Sequence, residues 1–133
     1  MALDPWSLLH FTPAEFACKC GCKMPPAYNA AILELAQRLE KLRRSLGLPI
    51  NVVSSYRCLA HNKKEGGATN SKHITGEAAD IQVLGWTGEA LAGYVTALRT
   101  HGVLPKGGGL GTYAKFPRTL HYDTRTEVAR WHS

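Results

Sequence analysis

From Ile32 to Leu46 the apolar residues Ile32, Leu35, Ala36, Leu39, Leu42 and Leu46 recur at steps of three and four. That is the period of a helix burying one face, and Gly47 and Pro49 end it. A second helix is predicted after Thr87, a capping residue, with Leu91, Tyr94, Val95 and Leu98 on one side and Gly102 at its end. Near the start, Thr12 to Glu15 (TPAE) signals a helix. Thr12 caps, Pro13 suits the first position and Glu15 closes a capping box. This helix is short, because CKCGC follows at Cys18 to Cys22.

Strand patterns lie between the helices. Ile50 to Ser54 (INVVS) is β-branched, and Ala78 to Val83 is an apolar run broken only by Asp80 and Gln82. Cys58 to Asn70 reads as a turn or short helix opening into a glycine-containing loop. Gly107 to Tyr113 and Thr119 to Thr124 read as an antiparallel pair joined through Lys115 to Arg118. Helices and strands do not alternate as a doubly wound fold requires, so the expected class is α+β, a small antiparallel sheet packed with helices. The chain shows no repeat, low-complexity tract or linker. Residues 1–133 are expected to form one domain, with the Cys-bearing segment 1–25 packed on it.

Composition changes this picture little. The 133 residues are 44% hydrophobic and 20% charged, as in ordinary globular proteins. No apolar run is long enough to span a bilayer. MALDPWSLLHF has an aspartate and a proline where a leader needs a basic flank and a long apolar stretch, so cytoplasmic synthesis without a signal peptide is expected. A formal charge of +6 and a pI near 9.3 favour anionic partners, among them nucleic acid, anionic lipid and cell-wall polymer. The one basic cluster, Lys41, Arg43 and Arg44, sits on a predicted helix and reads as a solvated face. No aromatic-plus-basic signature supports nucleic-acid binding. A monomer is expected.

The candidate chemistry starts from three aspartates, Asp4, Asp80 and Asp123. A carboxylate among Ala78, Ala79, Ile81 and Val83 is costly to bury unless it is paired or bound to a metal. His121 and Asp123 project from one strand face because side chains alternate. A sheet bringing strand 78–83 beside strand 119–124 would gather His73, Asp80 and His121 around one point. Two imidazoles and a carboxylate with one position open is the donor set of a catalytic zinc. Each residue alone also has an ordinary reading as a loop histidine, an arginine-paired aspartate or a strand histidine. Spacing does not choose between them.

The motifs SSYRC at 54–58, HN at 61–62, GGATNSKHITGEAADI at 66–81, GGGLGTY at 107–113 and LHYDTR at 120–125 resemble the zinc-dependent murein peptidases. That family includes D-Ala-D-Ala carboxypeptidases and L-alanyl-D-glutamate endopeptidases, and it shares its fold with the hedgehog signalling domain. Its pattern S-x-H-x-x-G-x-A-x-D is matched by Ser71, His73, Gly76, Ala78 and Asp80, and its later H-x-D by His121 and Asp123. FTPAEFACKCGC resembles the N-terminal segment of single-domain members, so the resemblance covers nearly the whole chain.

The resemblance implies His73, Asp80 and His121 as ligands of one catalytic Zn2+. It implies Arg57 as a catalytic and substrate-binding residue for a carboxylate or oxyanion, and Ser71 lies on the substrate side as a loop-ordering hydrogen bonder. The chain departs from the family at Arg118, where many members carry a carboxylate base three residues before the second histidine. Asp123 is the remaining candidate to move the proton, or else it orients His121; Glu77 points away across the strand. His61 is near enough to Arg57 to line the cleft. Cys18, Cys20, Cys22 and Cys58 lack the usual two-residue knuckle spacing. They read as free or redox-variable thiols, with disulfides or a second, structural metal as alternatives.

The implied function is hydrolysis of a peptide bond in the stem peptide or cross-link of peptidoglycan. The expected setting is a phage endolysin or tail-associated lysin that reaches the wall through a holin or with the virion. The alternative is a zinc-bearing binding module without turnover.

Overall fold

The computed structural model describes residues 6–133. The first five residues, including Asp4 and the start of the segment read above for a leader, lie outside them. Three helices and five strands follow two short 3₁₀ turns, Pro13–Phe16 and Pro26–Tyr28. The helices are α1 (Asn29–Leu46), α2 (Leu59–Lys64) and α3 (Gly88–Thr100). The strands are β1 (Asn51–Ser54), β2 (Ala78–Gln82), β3 (Gly108–Thr112), β4 (Leu120–Asp123) and β5 (Val128–His132). They form one sheet in the order β1-β2-β4-β3-β5. The pairs β1/β2, β2/β4 and β3/β4 are antiparallel, and β3/β5 is parallel. The expected α+β architecture is the one observed.

The local signals act where the sequence places them. Glu15 accepts from the Thr12 backbone N–H at 3.0 Å, although the segment closes as a 3₁₀ turn. The Thr87 hydroxyl accepts from Ala90 N at 3.0 Å and starts α3. The strand β5 was not expected. VARWH is a half-exposed edge strand of five residues in which only Ala129 and Trp131 are partly buried, so its periodicity signal is too short and weak to mark it.

Side-chain alternation divides the sheet. Ala79, Ile81, Leu110, Leu120 and Tyr122 turn to one face and join Leu35, Leu39 and Leu42 of α1 and Leu91 and Val95 of α3 in the core. Phe11, Phe16 and Cys18 extend this core, so the described residues of the N-terminal segment around them pack on it. Buried Glu40 pins that segment: it accepts from His10 N at 2.9 Å, meets the His10 ring at 2.6 Å and pairs with Arg44 at 3.2 Å. Burial pushes the Glu40 carboxyl up, but the His10 and Arg44 contacts outweigh it and hold it below its ordinary value. Among the described residues no helix is long and apolar enough to cross a membrane.

Leu35 is fully buried where α1 meets the sheet. Leu35→Ala is expected to lower unfolding stability by about 2–5 kcal/mol through lost transfer energy and a cavity, read from the midpoint of urea denaturation at unchanged slope.

Candidate functional site

The face of the sheet opposite the core carries the chemistry. Register aligns Asp80 with His121, His121 with Gly111 and Gly111 with Trp131, one row across β2, β4, β3 and β5. A parallel row sets Ala78 beside Asp123, Asp123 beside Gly109 and Gly109 beside Ala129. The small residues make room for the large ones. A Cβ on Gly111 would lie 2.4 Å from the Trp131 ring, and one on Gly109 would lie 2.3 Å from the Asp123 carboxylate. With Gly111 bare, Trp131 crosses β3 and packs on His121, ring centroids 4.9 Å apart.

His73 comes from the loop before β2 and meets this row. Its Nδ1 stands 2.7 Å from the Ser55 carbonyl, which can only accept, so the proton sits there and Nε2 keeps its lone pair. That Nε2 is buried without a hydrogen-bond partner. On His121 the opposite nitrogen is anchored: Nε2 meets Asp123 Oδ2 at 2.8 Å, leaving Nδ1 toward Asp80. Asp80 lies between the rings, Oδ2 3.5 Å from His73 Nε2 and Oδ1 3.5 Å from His121 Nδ1.

Donors at about 2.1 Å from one tetrahedral ion stand about 3.4 Å apart. The three groups therefore have the spacing of a metal site, and an orphaned imidazole nitrogen is what a cation would satisfy. Burial lowers the His121 pKa, but its bonds to Asp123 and Asp80 outweigh this and raise it. Burial pushes the Asp80 carboxyl up, while the two imidazoles beside it, His121 and His73, hold it well below the usual carboxylate range.

Further residues hold this group in place. Arg57 reaches Asp80 Oδ2 with Nη2 (3.1 Å), Asn62 Oδ1 with Nη1 (3.3 Å) and Ser54 Oγ with Nε (3.1 Å). The ion pair with Asp80 leaves one N–H free on each terminal nitrogen of the five that a guanidinium carries. The Tyr113 hydroxyl donates to Asp80 Oδ1 at 2.9 Å. Ser71 Oγ accepts from His73 N at 3.2 Å, so this serine orders the loop that presents the histidine.

Asp123 is sealed from solvent. Its Oδ1 accepts from Gly109 N, Arg125 N and Arg125 Nε, and its Oδ2 meets Arg125 Nη2 and His121. Burial pushes its carboxyl up, but the His121 and Arg125 bonds hold it far below the ordinary range. A carboxylate so saturated has no lone pair free to take a proton from the cleft. Arg118 is exposed in the turn before β4, beside Gln82 and Leu84 and outside the cleft. Glu77 accepts from the Thr75 hydroxyl and does not line the cleft that holds the three donors.

The donors open into a cleft of about 840 Å³ walled by Arg57, His61, Ser71, Tyr113, Phe116 and Trp131. That size suits a short peptide. Sequence reasoning assigned no role to Tyr113, Asn62, Arg125 or Trp131. Tyr113 and Arg125 lie within the quoted motifs GGGLGTY and LHYDTR, whereas Trp131 sits on the unforeseen β5.

Comparisons with known proteins bear on this geometry. The profile of the family described as Peptidase M15 matches residues 9–121. The zinc D-Ala-D-Ala carboxypeptidase of Streptomyces albus G is 36% identical over 106 residues, 74% of this chain. The aligned part is 40% of that relative's length.

Proposed function

This chain belongs to the peptidase M15 family, and from that premise we propose that it is a zinc metallopeptidase that hydrolyses a peptide bond in the stem or cross-link of peptidoglycan. The observation that carries the reading is the placing of Asp80 between two imidazoles, each with its far nitrogen anchored and its near nitrogen turned toward the carboxylate. His73 Nε2, Asp80 and His121 Nδ1 are the zinc ligands. Zinc, when bound there with one position open, supplies Lewis-acid polarisation of the scissile carbonyl and lowers the pKa of water. The Ser55 carbonyl fixes His73, and Asp123, itself clamped by Arg125, fixes His121. This replaces proton transfer as the role of Asp123, because its lone pairs are already occupied. Arg57 offers its two remaining N–H groups to a substrate carboxylate or developing oxyanion. Ser71 borders the substrate beside His73.

The same reading takes residues 1–133 as one catalytic domain, acting as a monomer in a phage endolysin or tail-associated lysin. The charge of +6 aids adsorption to an anionic wall and is weakened by salt. A second reading, a zinc-bearing wall-binding module without turnover, is favoured by the exposure of Arg118 and the saturation of Asp123. Purified murein incubated with the zinc-loaded protein separates the two. Released peptides identified by mass spectrometry, and lost on chelation, are expected; intact murein with zinc bound would overturn the enzyme reading.

A further inference from the structure

All four cysteines of the chain meet at one point, and the proposed hydrolysis uses none of them. Cys18, Cys20 and Cys22 follow the Pro13–Phe16 turn on a loop tightened by Gly21 N donating to Cys18 O at 3.0 Å. Cys58 caps α2 from far along the chain. The four sulfurs lie within 4.8 Å of one another. Cys18 to Cys20 is 3.2 Å, Cys20 to Cys58 is 3.6 Å and Cys18 to Cys58 is 4.0 Å.

These separations discriminate between outcomes. Sulfurs joined in a disulfide are about 2.05 Å apart, and two disulfides need only pairwise approach. Four sulfurs bonded at about 2.3 Å to one tetrahedral cation stand about 3.8 Å apart, a value the observed distances bracket. Backbone N–H groups already point at sulfur. Cys58 N donates to Cys18 Sγ at 3.5 Å and His61 N to Cys58 Sγ at 3.4 Å, contacts that favour thiolate over thiol. Cys20 is exposed and gives a cation a way in.

We propose that Cys18, Cys20, Cys22 and Cys58 bind a second zinc ion in a closed, structural four-thiolate site. Soft thiolates in a tetrahedral set select zinc over the hard cations. Loading exchanges the thiol protons for the ion, and with four protein ligands no position is left for substrate. The sequence reading preferred free thiols and kept a structural metal at the four cysteines as an alternative; what the fold adds is that Cys58, at the cap of α2, meets the other three.

The consequence of the site is mechanical. It ties the N-terminal segment to the residue after Arg57, in a stretch already held by Tyr56 N to Phe16 O (3.2 Å) and Arg57 N to His73 O (3.0 Å). This inference stands apart from the hydrolysis reading and survives its failure.

Zinc supplied to the reduced full chain, followed by elemental analysis, is expected to give two equivalents per chain. The His73→Ala/Asp80→Ala variant is expected to keep one, with an X-ray absorption shell of sulfur alone at about 2.3 Å. Cys20→Ser/Cys58→Ser is expected to lose that equivalent and keep the one held by nitrogen and oxygen. Cysteine substitution can unfold the chain, so the sulfur shell of the histidine-site variant decides without it. Four thiols that react freely in zinc-saturated protein, or the mass of two disulfides in the native chain, would overturn the proposal.

Discussion

Asp80→Ala is expected to lower bound zinc by one equivalent and murein cleavage by on the order of a thousandfold or more. The size follows from the position of the side chain. Its two oxygens each stand 3.5 Å from a different imidazole nitrogen, so its removal leaves the two rings with no carboxylate between them. The loss also frees the Arg57 guanidinium and the Tyr113 hydroxyl, which both hydrogen-bond this carboxylate. Some loss of stability accompanies it, because a half-buried cation is left without its partner. Elemental analysis and product release are therefore read at a temperature where circular dichroism shows the variant folded. A variant that keeps full zinc and full cleavage would remove Asp80 from the ligand set.

Asp123→Asn is expected to weaken zinc binding about 10–100-fold, as loss of a group that orients a ligand histidine does. The amide keeps the shape but cannot hold the His121 Nε2 proton and the Arg125 fork as a carboxylate does. The diagnostic is what excess zinc restores. If Asp123 acts through His121, cleavage recovers once the site is saturated. If Asp123 is the proton acceptor, kcat stays depressed by about 10²-fold or more at any zinc concentration. Zinc titration of initial rates on a defined muropeptide distinguishes the two outcomes.

Much of the scaffold was legible in the chain because it is coded locally. The i, i+3, i+4 apolar pattern placed α1, the Thr87 cap placed α3, and the β-branched and apolar runs placed β1, β2 and β4. The clustering of His73, Asp80 and His121 was also open to inference, since a carboxylate in an apolar strand needs a partner and antiparallel pairing with 119–124 supplies one. What such reasoning could not reach depends on contacts distant in sequence. β5 is an edge strand held by parallel pairing to β3, and its five half-exposed residues alternate too weakly to mark a strand by themselves.

The chain by itself determined the α+β class and the positions of the main helices and of β1 to β4, because burial and side-chain period leave a local trace. Tertiary structure alone decided four further matters. Asp123 is saturated by Arg125 and Gly109; Trp131 crosses a bare Gly111 to reach His121; Arg57 pairs with Asp80 while holding two N–H groups free; and Cys58 joins Cys18, Cys20 and Cys22. Each depends on which strand or loop lies beside which. That choice is made when the core face of the sheet packs against α1 and α3, not by any residue's own neighbours in the chain.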